Sequence, residues 1–223
     1  RTSQGVDEEG DIEASGAVQI SGLSVESNAG DIQFGRKLIA GTSITLRGEN
    51  IKGGSLLDEQ RGVSAQNYLI EAQADISISS PFLGGGQARI TSQAGNITLD
   101  AVGVEQNAVE TAEIAARLGG IEFASFHGDS LYASAGDHIT IRENAVASGT
   151  GNWIHGWDAS LYAVVLEGGS VTAQAITAHQ GNVYIGGGSG GIALQGELCA
   201  AKFTTLESFV KINRNKTCLP VMT

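Results

Sequence analysis

One short phrase returns along this chain, and its spacing limits the fold more than any composition figure. The phrase is a small or turn-forming residue, then Asp or Asn, then an apolar–polar–apolar triplet. It reads Gly10-Asp11-Ile12-Glu13-Ala14, Gly30-Asp31-Ile32-Gln33-Phe34, Ala74-Asp75-Ile76-Ser77-Ile78 and Gly95-Asn96-Ile97-Thr98-Leu99. Looser copies are Gly119-Gly120-Ile121-Glu122-Phe123, Asp137-His138-Ile139-Thr140-Ile141, Ala159-Ser160-Leu161-Tyr162-Ala163 and Gly181-Asn182-Val183-Tyr184-Ile185. The first apolar residues stand at 12, 32, 76, 97, 121, 139, 161 and 183, at intervals of 20, 44, 21, 24, 18, 22 and 22. The interval of 44 is two periods with a degenerate copy between, at Asn50-Ile51 or at Ser55-Leu56. A second phase holds Leu23/Val25, Ile44/Leu46, Val171/Ala173 and Ile192/Leu194.

An in–out–in triplet is a strand with one buried face, and the Gly and Asp/Asn before it supply the corner that ends the previous strand. A period of about 20–22 residues is too short for a helix pair or a propeller blade, but it fits one coil of a parallel β-helix. The expected fold is therefore all-β, a parallel β-helical solenoid of nine or ten coils. At ~4.8 Å per coil this is a rod about 45 Å long. Handedness follows from the general right-handed preference of parallel crossovers. Ile32, Ile76, Ile97, Ile121, Ile139, Leu161 and Val183 are expected to line one inner wall, with Tyr162 and Tyr184 stacked outside it. The chain has only 2 Trp, 4 Tyr and 6 Phe, as suits a narrow interior of stacked aliphatics, and only 2 Pro, as suits a backbone whose N–H groups are needed for pairing.

Two stretches break the cadence. Val104 to Leu118 has a helical composition followed by Gly119-Gly120, and is expected to form a short helical insertion at 104–118 or else a longer coil carrying an ordinary strand. Gly149 to Trp157 reads as a wider loop. Residues 1–198 are assigned to the β-helix, and residues 199–223, which turn aromatic and basic, to a C-terminal cap.

The net charge of −11, from 24 acidic and 13 basic residues, opposes nucleic-acid binding. No Lys/Arg patch with interleaved aromatics offsets it.

The phrases Ala94-Gly95-Asn96-Ile97-Thr98-Leu99-Asp100, Ala135-Gly136-Asp137-His138-Ile139-Thr140-Ile141 and Ala40-Gly41-Thr42-Ser43-Ile44-Thr45-Leu46 resemble coils of filamentous-haemagglutinin-type exoproteins. The resemblance covers about residues 10–195. It implies a right-handed parallel β-helix that is secreted or displayed on a bacterial surface, exported through an outer-membrane transporter, and used in adhesion, biofilm or toxin display. Some members carry a close Cys pair near the C-terminus that holds them at the transporter; Cys199 and Cys218 are set wider than that.

The expected function is an extracellular structural or adhesive rod without catalysis or cofactor. The alternative is a β-helical lyase or hydrolase acting on acidic glycans, which needs paired carboxylates or a calcium cluster on an outer wall. Asp11, Asp31, Asp75 and Asp137, with Asn96 and Asn182, stand at equivalent corners, where turn capping accounts for them. Gly186 to Gly191 does not spell the Asp-containing calcium-binding coil. His127, His138, His155 and His179 lack metal-ligand spacing and are expected at turns or in solvent.

Trp153, His155, Trp157 and Asp158 form the one aromatic–polar cluster. They either bind a host or matrix glycan or pack over a coil edge. Asn215 and Asn96 stand in glycosylation sequons, the former in a polar tail and the latter at a corner. Cys199 and Cys218 are expected to pair in an oxidising compartment, closing a loop around Phe203, Leu206, Phe209, Val210 and Ile212. Such a bond contributes roughly 3 kcal/mol.

Residues 1–13 carry Arg1 against Asp7, Glu8, Glu9, Asp11 and Glu13, whereas residues 202–223 carry Lys202, Lys211, Arg214 and Lys216 against Glu207. Opposite poles on a rod with open strand edges favour head-to-tail association into filaments.

Overall fold

The computed structural model describes residues 4–6, 12–14, 18–35, 38–54, 63–64, 67–84, 86–149, 162–201, 204–208 and 212–218. Among them every regular element is a strand, and the strands stack as a parallel β-solenoid with three walls per turn. In the first wall, Ile12, Ile32, Ile51, Ile76, Ile97, Ile121, Ile139, Val171, Ile192 and Ile212 lie in direct register. The eight residues from Ile32 to Ile192 are at most 3% exposed, so this column faces a dry interior. They bound seven turns, a height of about 34 Å at ~4.8 Å per rung.

A bend leads into the third wall, where Phe82, Val102, Phe126, Ala145, Ile176 and Leu198 stack in the same way. The second wall closes each turn with two inward columns. One runs Leu23, Ile44, Tyr68, Ala88, Ala112, Leu131, Val164 and Val183; the other runs Val25, Leu46, Ile70, Ile90, Ile114, Ala133, Leu166 and Ile185. Side chains of one column touch those above and below, so the core is a continuous stack rather than a central knot.

The degenerate copy of the repeat is Ile51, which joins Ile32 to Ile76. Beside it, Gly53 is required by packing. A Cβ there would come within 1.8 Å of the Phe34 ring on the rung below, so only glycine lets that ring lie inside the coil.

Four expectations change. The two phases of the repeat exchange places after Ile139: Val171 and Ile192 continue the first wall, whereas Val183 stacks on Val164 in the second. The cause is a length difference. Ala147 and Tyr162 are register partners of Ala178 and Asn182, yet residues 148–161 number fourteen where 179–181 number three. An insertion inside one turn carries the next phrase onto another wall.

Secondly, of the two readings of 104–118 the helix gives way to the strand: Val109–Ala116 is a strand. Its Ala and Glu favour a helix, but Val109, Ala112, Ile114 and Ala116 are buried and the segment is sandwiched between Gln87–Ser92 and the rung of Ser130–Ala135. Ladder hydrogen bonds and burial on both sides outweigh a propensity worth only tenths of a kcal/mol per residue.

Thirdly, the segment after Cys199 continues the solenoid instead of leaving it: Thr204–Glu207 and Ile212–Cys218 both pair in parallel with Asn182–Ala200. Finally, Gln4–Val6 folds back antiparallel on Ile12–Ala14 and covers the amino-terminal edge of the first wall there. Antiparallel cover occupies backbone groups that a further parallel coil would use.

Candidate functional site

On the outer face of the second wall, one column passes through Glu26, Arg47, Glu71, Thr91, Ala115, Ser134, Glu167, Gly186 and Glu207. Beside it runs a column of Ser24, Thr45, Leu69, Arg89, Glu113, Tyr132, Val165, Tyr184 and Thr205. Outward positions on a solenoid are normally solvated. Here Tyr132 and Val165 are nevertheless buried, packed with Tyr162 and Tyr184 into a small apolar cluster on the outside of the wall.

Each tyrosine of this cluster that reaches the first column holds a carboxylate. Tyr132 Oη donates to Glu167 Oε2 at 3.0 Å, and Tyr184 Oη donates to Glu207 Oε2 at 3.0 Å. Burial, reinforced by Glu167, pushes the Tyr132 hydroxyl up to about 12. Burial and the Glu207 carboxylate likewise push Tyr184 up to about 12. Both phenols therefore remain donors at any ordinary pH, and each fixes one carboxylate oxygen.

Between the two glutamates the wall has no side chain, because their common neighbour is Gly186. The result is a groove of about 560 Å³ lined by Glu167, Tyr184, Gly186, Gly187, Glu207 and Ser208, among others. The Tyr184 ring leans toward Gly186, whose Cβ would stand 3.1 Å from its hydroxyl oxygen. Two oriented carboxylates, a phenol ring and a glycine floor can take a cationic or hydroxyl-rich ligand.

Asp31, Asp75 and Asn96 cap their corners as expected, joined by Asn50. Asp31 Oδ1 accepts from the Asn50 backbone N–H at 3.1 Å, and Asn50 Oδ1 accepts from the Asp75 N–H at 3.0 Å. Asp75 Oδ1 accepts from the Asn96 N–H at 2.7 Å, and Asn96 Oδ1 from the Gly120 N–H at 2.8 Å. From Asp31 to Gly120 the column caps the first-wall corner of successive turns, which explains the Asp/Asn recurrence there without a ligand; Asp11 lies outside the described residues, and Asn182 stands on the second wall opposite Tyr162. Asp137 bonds to the neighbouring His138 ring at 3.0 Å. Among the described residues no three His, Cys, Asp or Glu side chains gather as a metal site.

Tyr162 and Tyr184 meet edge-to-face at 6.4 Å rather than in one stack, because Tyr162 pairs with Asn182 and Tyr184 with Val165. Trp153, His155, Trp157 and Asp158 lie outside the described residues. Asn96 is exposed at its corner, and Asn215 lies on the strand Ile212–Cys218. That strand and its neighbour put Cys199 and Cys218 directly opposite each other on adjacent turns.

No protein-family model, no curated protein and no solved structure matches this chain.

Tyr132, Glu167, Gly186 and Glu207 carry no motif that sequence reading could find. Glu167 and Glu207 are forty residues apart, and they face one another only because two turns intervene.

Proposed function

We propose that this chain is an extracellular structural or adhesive β-helical rod of the filamentous-haemagglutinin kind, with the second wall as its ligand-presenting face. The observation that carries this reading is the unbroken parallel register from Glu26 to Glu207, which spreads side chains in straight columns over a flat wall. Away from the tyrosine cluster its outer columns are linked from rung to rung by Glu26–Arg47–Glu71 and Arg89–Glu113 ion pairs, and the first wall carries Glu122–Arg142, as a durable exposed surface requires. The phrases that resemble haemagglutinin-type coils fall on such rungs, with Ile97 and Leu99 stacked on Ile121 and Phe123.

A second reading, hydrolysis or lysis of acidic glycans, draws on the Glu167 and Glu207 carboxylates facing across Gly186. Saturable binding of the purified chain to cells or matrix, with no release of reducing ends from polygalacturonate or alginate, is the expected result. Release that disappears in Glu167→Gln would reverse the assignment.

We further propose that Cys199 and Cys218 form one disulfide across adjacent turns. Parallel neighbours ~4.8 Å apart fall inside the Cα range a disulfide spans. Thiol titration of the denatured protein should find no free thiol before reduction and two after it; two before reduction would exclude the bond and remove its support for an oxidising location.

A further inference from the structure

The outer column of the second wall contains the same arrangement twice, once filled and once open. In its amino-terminal part the order is Glu26, Arg47, Glu71 on three successive rungs. Arg47 sits on the middle rung and bonds both neighbours, Nη1 to Glu26 Oε1 at 2.7 Å and Nε to Glu71 Oε2 at 2.6 Å. Toward the carboxyl end of the same column the order is Glu167, Gly186, Glu207, again on three successive rungs. The two carboxylates are in place, and the residue between them has no side chain.

We propose that the Glu167–Gly186–Glu207 groove receives the guanidinium of an arginine side chain presented by another polypeptide. This rests on the reading of the second wall as a ligand-presenting face. Arg47 shows, within this molecule, that two glutamates with one rung between them are satisfied by one planar fork of N–H donors. A fork serves two separated acceptors with two different nitrogens. A bare metal ion is a poorer fit, because both carboxylates would have to converge on one point at about 2.3–2.6 Å, and each already has an oxygen held by a tyrosine.

The surroundings add to the match. The groove, at about 560 Å³, has room for the whole side chain, and the Tyr184 ring borders it, as cation–π contact requires. The chain's charge of −11 draws a basic partner toward it.

The test is a titration of the full chain with the peptide acetyl-Gly-Arg-Gly-amide, followed through the backbone amide signals of Gly186, Gly187 and Gly188. The same peptide with citrulline, calcium chloride alone and glucosamine serve as the other arms. The arginine peptide should shift these amides saturably, and its affinity should fall as salt is raised. Citrulline keeps the shape but loses the charge, so its peptide should bind at least about tenfold more weakly.

Gly186→Arg should abolish binding by supplying the cation from within. Its Cβ meets only the far end of the Tyr184 side chain, at 3.1 Å, which can yield. If that variant does not fold, Glu207→Gln gives the same test, with an expected loss of about tenfold. Equal binding of the citrulline peptide, unchanged affinity in both variants, or displacement by calcium or glucosamine at lower concentration than the arginine peptide would overturn the proposal. Adhesion to cells by a protein that ignores the arginine peptide overturns the groove assignment alone. Peptide binding by a protein that adheres to nothing overturns the adhesive reading alone.

Discussion

The two ends of the second wall's outer column make the most instructive comparison in this molecule. Glu26, Arg47 and Glu71 keep a single net negative charge, and the hollow beside them measures about 290 Å³. Glu167, Gly186 and Glu207 keep two negative charges over a groove of about 560 Å³. Strand direction and register are alike in the two places. What separates a structural patch from a candidate binding site is therefore a single position, Arg47 against Gly186, together with the phenols that flank the second.

The largest expected effects come from the interior that both regions share. Ile70 and Ile185 occupy one inward column, beneath the filled and the open arrangement respectively, and neither is exposed. Truncating either to Ala should cost about 2–5 kcal/mol, measured by urea denaturation. Ile70 stacks between fully enclosed Leu46 and Ile90, whereas Ile185 stacks between Leu166 and the only partly buried Leu206. The looser neighbour can settle into the space, so Ile70→Ala should be the more costly of the two. Equal losses would mean that the carboxyl-terminal turns are packed as rigidly as the middle of the rod.

Alkali should separate the two regions next. Tyr132 and Tyr184 belong only to the open arrangement, and both are raised from 10.0 to about 12. In the unfolded chain these phenols ionise near 10, so above that pH protons are lost more readily from the unfolded state. Their contribution is fully present below pH 10 and is lost as pH rises toward 12. Thermal melts over this interval should show a decline that is reduced in Tyr132→Phe and Tyr184→Phe. A decline of the same size in both variants would assign it to other groups.

Much of the fold could be read from the residues, because a solenoid repeats its chemistry at a fixed distance. The Ile ladder from Ile12 to Ile139 and the Asp/Asn corners follow from two-residue alternation and turn capping. Beyond Ile139 the reading fails for a physical reason: the fourteen residues between Ala147 and Tyr162 change the phase, and spacing alone cannot say on which wall an insertion lies. Val109–Ala116 was misleading because Ala and Glu suit a helix in isolation, while neighbours above and below decide a strand. The groove was illegible for a related reason. Glu167, Gly186 and Glu207 form a unit only after register is known, and each is unremarkable in its own segment.

The smallest predicted effect is also the one that tests the comparison most directly. Arg47→Gly copies the open arrangement into the amino-terminal region and leaves Glu26 and Glu71 without their shared cation. Arg47 lies in solvent, and its guanidinium is held even more firmly protonated than usual by its hydrogen bonds to Glu71 and Glu26. Because the pairs are exposed, stability should fall little, by about two degrees or less in melting temperature. Part of that loss is the glycine's own backbone freedom, which salt does not alter. The remainder is repulsion between two uncompensated carboxylates, which should shrink in 1 M NaCl. Addition of the arginine peptide should recover this salt-sensitive part and reveal a second binding event, raising the stoichiometry from one to two. It should be weaker than the first, since Ser24, Thr45 and Leu69 stand beside it where the groove has Val165, Tyr184 and Thr205, so no phenol borders it. A stoichiometry that stays at one would show that the phenols, and not the spacing of the glutamates, select the cation.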